Sequence, residues 1–595
     1  MRTLLLACLL LAPAALRAGE GPRFTDEAAP AGLAGVSAQN PVWADLNGDG
    51  WPDAVLGSTH GGKTTCVFLS TSAAGGERAF YDFTSDSGLN AAPAPSTAPR
   101  AGSALVFGDA DNDGDLDVFS ARYGEFEKPK ASPAGEIVRG ADGNPVYETP
   151  DDGLRSALLL NDGGGRFSHL QRAGVENPPE TATSAAFLDY NNDGVLDLYA
   201  GNWYREYGVS FLCYPSRLYK GLGNGMFEET TAAAGLLTAA TEGRPDSSRP
   251  VYGVSHCDWD DDGRQDLLVA VYGRQANRLW RNNGDGTFSD TGPASGFDGD
   301  AVRHGRYPDG AKRQPEPEWR SHGNTFSAVC ADYDNDGDTD VFLGEITHAW
   351  AGEASDRSSV LENLGKKKNF KFRRRPELVY RVHQDTRTWN QGDMRAAWAD
   401  FDNDGLQDLL LASGDYPDGQ YLRLFRQVKL RKFRDITAEA GLDWESSGGV
   451  SVADYDRDGD LDILAGKSWM RMPAHRRKGP LPAPALLRNG LANGNHWLAI
   501  KLEGRGAGAT NRGGVGVRVT VKAGRLLQTR EIRTSQGHAG LADEQLLHFG
   551  LGKAGSADSV EVRWVTGTAV YKDISADRYI KITEGAGLAD WTPAR

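Results

Sequence analysis

The sequence predicts an all-β chain, a seven-bladed β-propeller followed by a small C-terminal β-sandwich. Three observations predict it. A nine-residue acidic pattern, D-x-[DN]-x-D-G-x-x-D, is written seven times at intervals of 54 to 80 residues. A strand, glycine turn, strand motif accompanies the acidic copies, so each repeat holds two hairpins and about four strands. The pattern then stops near residue 490, where short alternating strands of a different kind begin. Units of this size with four strands are propeller blades carrying insertions. The 74 glycines fit tight turns, and no long stretch of 3.6-residue periodicity competes.

The acidic copies begin at Asp45, Asp109, Asp189, Asp258, Asp332, Asp400 and Asp454. Oxygen-bearing side chains fill positions 1, 3, 5 and 9 of each. They are Asp45, Asn47, Asp49 and Asp53; Asp109, Asp111, Asp113 and Asp117; Asp189, Asn191, Asp193 and Asp197; and Asp258, Asp260, Asp262 and Asp266. The last three sets are Asp332, Asp334, Asp336 and Asp340; Asp400, Asp402, Asp404 and Asp408; and Asp454, Asp456, Asp458 and Asp462. Glycine at position 6 permits the sharp turn that folds such residues around one point. Calcium takes six to eight oxygen ligands, so up to seven structural Ca²⁺ ions are expected. An EF-hand loop would continue to Glu at position 12; here that position is Leu56, Ser120, Ala200, Ala270, Leu343, Leu411 or Ala465. Apolar flanks such as Ala104-Leu105-Val106-Phe107 place each loop between two strands, with the position-9 Asp closing the shell.

The formal net charge of −16 would fall to −2 with seven divalent ions bound. The acidity therefore belongs to ion ligands rather than to a basic partner, and nucleic acid is not an expected partner. The basic run from Lys366 to Arg375 is too short to change that and reads as a solvated hairpin.

Taken in order, Met1-Arg2-Thr3, the apolar run Leu4 to Leu11 and the small residues to Ala18 read as a secretory signal over 1–18. Its apolar run is too short to span a bilayer, and no transmembrane segment is expected elsewhere. Cys8 falls inside the apolar region, too early for a lipid-attachment box. The expected location is extracellular, periplasmic or cell-surface, where calcium is plentiful. The propeller is expected over 24–490. It opens on Phe24-Thr25-Asp26 through Ala31-Gly32-Leu33, the tail of a repeat with no acidic loop before it, while the last repeat ends at Leu486-Leu487-Arg488-Asn489-Gly490 without that tail. The N-terminal strand is therefore expected to complete the final blade and remove the open edges. Hairpin motifs such as Leu279-Trp280-Arg281-Asn282-Asn283-Gly284 and Leu159-Leu160-Asn161-Asp162-Gly163 supply the outer strands. The sandwich is expected over 494–585. Cys66, Cys213, Cys257 and Cys330 remain; an even number in a secreted chain permits disulfides, and buried free thiols are the preferred reading.

At this level of detail the acidic loops resemble the FG-GAP or VCBS-type repeats of integrin-like β-propellers. The C-terminal segments Asn511-Arg512-Gly513-Gly514-Val515-Gly516-Val517, Gln536-Gly537-His538, His548-Phe549-Gly550-Leu551-Gly552 and Val560-Glu561-Val562-Arg563-Trp564 resemble an ASPIC/UnbV domain. The combination is similar to the cartilage acidic protein family and its bacterial relatives. The turn Trp564-Val565-Thr566-Gly567 departs from the family's usual Trp-Pro-x-Gly. The resemblance implies an extracytoplasmic calcium-binding propeller and carries over no catalytic site.

Six to eight residues beyond the position-9 Asp, about 20 Å of extended chain, each blade reaches the face opposite its loop. Those ends carry His60, Tyr123, Trp203 with Tyr204, Tyr272, His348 with Trp350, Tyr416 and Trp469. Flat rings with polar edges suit stacking on sugars or gripping a peptide, while ordinary packing of strand ends is the plain alternative. Trp203, Tyr204, Tyr272, His348, Trp350, Tyr416 and Trp469 are the candidate ligand contacts, and insertions around Trp389-Asn390-Gln391 and Asp415-Tyr416 sharpen the case. The expected function is a binding or adhesion module for extracellular glycan or protein. The alternative is a calcium-dependent polysaccharide or sugar lyase with His322, His348 or Arg357 in catalytic roles. Against it, no nucleophile elbow, H-E-x-x-H or phosphate loop occurs, and all seven loops look complete.

Overall fold

A computed structural model describes residues 23–594 apart from 58–63, 74–75, 92–103, 124–127, 142, 144, 149–154, 177–179, 209–210, 238–247, 382–389, 415–420, 443–444, 446, 470–471, 473, 478–482 and 492–493. The expected signal segment, His60, Trp389 and Tyr416 lie outside the described residues.

The fold is all-β, and the described residues before 490 form four-stranded antiparallel units of propeller type. The unit at 251–290 is representative, with strands Val251–Cys257, Asp266–Val271, Arg278–Asn282 and Phe288–Asp290 paired in sequence order. Its first two strands are wholly buried, with the polar Ser255 and His256 among the apolar residues of the first, while the outer two strands are partly exposed. Asp266 is both position 9 of the acidic loop and the first residue of the second strand, and the same holds for Asp53, Asp117, Asp197, Asp340, Asp408 and Asp462. In the last unit, strands Ser447–Ala453, Asp462–Lys467 and Ala485–Arg488 are completed by Thr25–Asp26, with Thr25 opposite Arg488 and Asp26 opposite Leu487. Chain start and repeat end thus share one sheet, and Phe24 sits in the core against Phe401 at 5.6 Å.

Cys257 is the last residue of the buried strand Val251–Cys257, and Cys330 is the penultimate residue of the buried strand Thr325–Ala331 in the neighbouring unit. With Cα atoms 6.7 Å apart they form a disulfide, which corrects the free-thiol expectation. Cys257 immediately precedes its acidic loop and Cys330 stands one residue further back from its own, on adjacent inner strands that the fold brings together, a proximity that sequence spacing does not reveal. Cys66 and Cys213 are free thiols.

Residues 496–590 form two sheets packed face to face. One contains Leu547–Gly552, His496–Glu503, Arg578–Thr583 and Gly587–Asp590, with the middle pair parallel; the other contains Leu526–Glu531, Arg518–Ala523, Ser556–Trp564 and Gly567–Ser575. Leu498, Ile500, Val519, Val521, Phe549, Val560 and Ile580 fill the space between them. The sandwich does not stop at its own surface. Its strand Gln536–His538 pairs with the innermost strand Val251–Cys257. The segment around it hydrogen-bonds the inner strands of several units: Thr534 Oγ1 donates to Phe187 O, Ser535 Oγ to Val254 O, and Arg533 Nη1 to Cys330 O. It also accepts from Ser184 Oγ at Gly537 O and from Ser451 Oγ at Ala542 O. The C-terminal domain thereby plugs the middle of the propeller.

Candidate metal loops and candidate ligand cleft

Each acidic loop is built by its own backbone. Position 9 accepts two amide hydrogen bonds of 2.7–3.3 Å, one from the residue at position 2 and one from the end of the third strand, as Asp408 does from Phe401 and Gln427. Position 1 accepts the amides of positions 5 or 6, as Asp400 does from Asp404 and Gly405. The glycine at position 6 takes φ between 80° and 106°, and position 4 is also left-handed in all seven copies. That is why position 4 is Gly48, Asn112, Asn192, Asp261, Asn335 or Asn403, residues that tolerate this conformation, with Arg457 the exception.

The hairpin motif serves the loops too. A side chain at or beside the end of the third strand reaches back to the preceding blade: Asn161 donates to Leu46 O, Asn282 to Tyr190 O, Asn363 to Trp259 O, Gln427 to Tyr333 O and Asn489 to Phe401 O, all at 2.7–2.9 Å. Position 4 reaches forward. Asn112 donates to Gly194 O, Asn192 to Gly263 O, Asn335 to Gly405 O, Asn403 to Gly459 O and Arg457 to Gly50 O, so one loop holds the next around the ring. Asp261 cannot donate. In its place Arg518 of the C-terminal domain pairs with Asp261 and donates to Gly337 O.

Three carboxylates come within 4.8 Å of one another in five loops and could hold a metal ion: Asp109, Asp111 and Asp117; Asp258, Asp260 and Asp262; Asp332, Asp334 and Asp336; Asp400, Asp402 and Asp404; Asp454, Asp456 and Asp462. The other two loops carry the neutral Asn47 and Asn191 at position 3. Burial raises the position-1 carboxyls to about 7 for Asp109, Asp189, Asp258 and Asp332 and to about 8 for Asp400 and Asp454, while Asp117 also reaches about 8. The donors fit a hard divalent cation for a specific reason. Asp45, Asp260, Asp332, Asp334, Asp402 and Asp456 each keep a buried carboxylate oxygen that no protein group satisfies. On the position-3 members the other oxygen is taken by an arginine: Arg281, Arg431, Arg426 and Arg488 pair with Asp260, Asp334, Asp402 and Asp456. A buried oxygen left without a partner costs on the order of 1–3 kcal/mol, more when charged, and an ion at the loop centre would supply that partner.

An Asp408→Asn substitution turns an acceptor of two amides into a group with a donor facing them. The expected loss is about 1–3 kcal/mol in denaturant unfolding, even with metal in excess.

All seven loops contact the C-terminal domain. Ala594 N donates to Asp49 O, Arg512 Nε to Asn112 O, Gly508 N to Asp193 O and Gly552 N to Asn403 O. Arg563 pairs with Asp258, Arg518 reaches Gly337, and the Tyr579 hydroxyl donates to Asp454. The domain therefore roofs the loop face.

The opposite strand ends form a cleft of about 400 Å³. Tyr204, Tyr272, His348 and Trp350 line it together; Trp469 is not among its lining residues. Trp203 lies beneath, only 5% exposed, with Tyr252 at 4.1 Å and Tyr272 at 5.4 Å. His538, at the tip of the plug, packs edge-on against Tyr252 and Phe326 at 4.9 and 5.3 Å, so the floor of the cleft rests on the C-terminal domain. The cleft's exposed rings are Tyr207 at 58%, Phe211 at 47% and Trp350 at 45%, with His348 stacked on Trp350. His322 is buried, held 2.9 Å from Arg303 and pushed down to about 3 by burial and that neighbouring charge; it lies outside the lining. The sequence reading passed over Arg274, Tyr307, Arg313, Glu316 and Arg320, which complete the walls. The signal for the last four was an insertion before Thr325–Ala331 rich in arginine and aromatic residues within an acidic chain, while Arg274 sits in a short turn between two strands.

Residues 506–589 match the ASPIC and UnbV family, and residues 258–305, 332–411 and 400–465 match the FG-GAP-like repeat. Human cartilage acidic protein 1 is 26% identical over 411 residues, covering 67% of this chain and 53% of the relative. The Xenopus tropicalis protein of the same name is 27% identical over 416 residues, covering 68% and 54%. The chain thus spans about half the length of the curated relatives it matches. Among solved structures, an Agrocybe aegerita lectin that recognises non-reducing terminal N-acetylglucosamine aligns with a TM-score of 0.36 at 14% identity, over 79% of this chain and 95% of its own. An exotype rhamnogalacturonan lyase aligns at 0.33 and 12%, over 90% of each chain.

Proposed function

The chain joins FG-GAP-like repeats to an ASPIC/UnbV domain, and from that premise we propose that it is a secreted, seven-bladed, calcium-loaded propeller that binds extracellular glycan or protein. Calcium is structural in this reading. Asp45, Asp109, Asp189, Asp258, Asp332, Asp400 and Asp454, with their partners at positions 3, 5 and 9, hold the ions, and the bound charge supplies the attraction that keeps clustered carboxylates together. The buried, unsatisfied carboxylate oxygens support it. Binding belongs to the other face, because the loop face is covered by the C-terminal domain. The observation that carries this half is the cleft in which Tyr207, Phe211 and Trp350 stay exposed beside polar groups. No helix among the described residues is long and apolar enough to cross a membrane.

The test is a glycan-array and turnover screen of the calcium-loaded protein beside a Tyr207→Ala, Trp350→Ala double variant; both side chains are exposed, so folding is spared. Loss of two stacking surfaces is expected to weaken binding by about 10-fold or more without lowering the melting temperature. Saccharide binding indifferent to the double substitution would move the site elsewhere. Unsaturated products would make the protein a lyase.

A further inference from the structure

We propose that the cleft selects saccharides bearing carboxylates, the uronate class, over neutral ones; this rests on the cleft being the ligand site. Three guanidinium groups, from Arg274, Arg313 and Arg320, face a single carboxylate, Glu316, among the described lining residues. This balance occurs in a chain whose formal charge is −16. Glu316 is fully engaged: Arg320 Nη1 lies 2.6 Å from it, and the Tyr307 hydroxyl donates to it at 3.0 Å. Two cations are therefore left over.

Arg274 is nearly buried. Its Nη groups donate to the Tyr307 hydroxyl and to Ala354 O, its Nε has no partner, and no carboxylate pairs with it among the described residues. The one carboxylate that acts on it through space is Glu316, which Arg320 already holds, so this buried guanidinium shares its counter-charge and an anion in the cleft would complete it. Arg313 is exposed, has no ion pair among the described residues, and lies over the Trp350 ring with its Cζ 4.5 Å from the centroid. The Trp350 face and the Arg313 fork together offer a ring-stacking surface beside a bidentate carboxylate receptor. Neutral sugars need only the former; uronates use both.

The test compares glucuronate-containing oligosaccharides with their methyl esters by titration calorimetry on the full-length, calcium-loaded protein, with Arg313→Gln alongside. Methyl esterification removes the charge and keeps the ring. The acid is expected to bind about 10-fold or more tightly than the ester at low salt, to lose that advantage in Arg313→Gln, and to weaken as salt rises. Equal binding of acid and ester, or an acid preference that survives Arg313→Gln, would overturn the charge selection and leave a saccharide cleft standing. If neither bound while other glycans lost affinity on Tyr207→Ala, Trp350→Ala substitution, the cleft would be a site for a different class and the uronate assignment would fall alone.

Discussion

A chain cut after residue 491 will not give a folded propeller: it is expected to be recovered aggregated, or as a species whose near-ultraviolet dichroism is lost. The physical reason lies in the plug. Removing residues 530–546 uncovers Phe326 and Tyr252, which pack on His538, and Val106, which lies against Gly540, and strips partners from Ser184, Ser451 and the amide of Val452. Each apolar side chain re-exposed forfeits about 1.5–3 kcal/mol and each lost hydrogen bond about 1 kcal/mol. A handful of each exceeds the roughly 5–15 kcal/mol by which a fold is ordinarily stable. The channel is fitted closely enough for a single methyl group to register. Gly537 has φ 115°, and a Cβ there would stand 2.7 Å from Ser327 Cβ and 2.8 Å from its Cα. Gly537→Ala is therefore expected to cost about 2 kcal/mol or more in the full-length protein. A truncated propeller that melts cooperatively, near the temperature of the whole chain, would refute the plug's role.

Metal removal is expected to have the second large effect, with a sign that depends on pH. Without an ion, burial holds Asp117, Asp400 and Asp454 at about 8 and Asp109, Asp189, Asp258 and Asp332 at about 7, against about 3.9 in an unfolded chain. The folded, metal-free protein thus binds more protons than the unfolded one between those values. Its stability is fully present below about pH 4 and is lost as pH rises through 7 to 8. Metal-stripped protein is therefore expected to melt lower at pH 8 than at pH 5. Calcium reverses the slope, because bound ions require deprotonated ligands. A site held 100-fold above its dissociation constant adds about 2.7 kcal/mol, so several loaded loops outweigh an ordinary fold's stability. The comparison needs protein stripped on a chelating resin and melted with and without millimolar calcium at both pH values. A metal-free melting temperature that rises from pH 5 to pH 8 would contradict the account.

Much of this was legible because it is local. Alternation gave the strands, the D-x-[DN]-x-D-G-x-x-D spacing gave the loops, and the misplaced tail at Phe24 to Leu33 gave the closure with Leu487 and Arg488. The left-handed position 4 is also legible in its run of Gly, Asn and Asp. What escaped was non-local. Gln536-Gly537-His538 has no hydrophobic period, and its pairing with Val251–Cys257 joins residues nearly 300 positions apart. The Cys257–Cys330 bond depends on two inner strands lying side by side. Trp203 stands at a strand end, but Tyr252, Tyr272 and Tyr207 close over it, while Trp350 stays exposed. Arg313 and Arg320 of the cleft come from an insertion before Thr325–Ala331 whose path no repeat pattern fixes.

If the seven loops and the C-terminal domain form one metal-dependent body, with the ligand cleft on the free face, their protection rises and falls together. Hydrogen exchange of the full-length protein, calcium-loaded and metal-stripped at pH 8, tests it most directly. On stripping, protection is expected to fall together in the acidic loops, in the plug at 530–546 and in the roofing segments 505–518 and 577–594. Loss confined to the loops, with the plug and roof as protected as before, would contradict it.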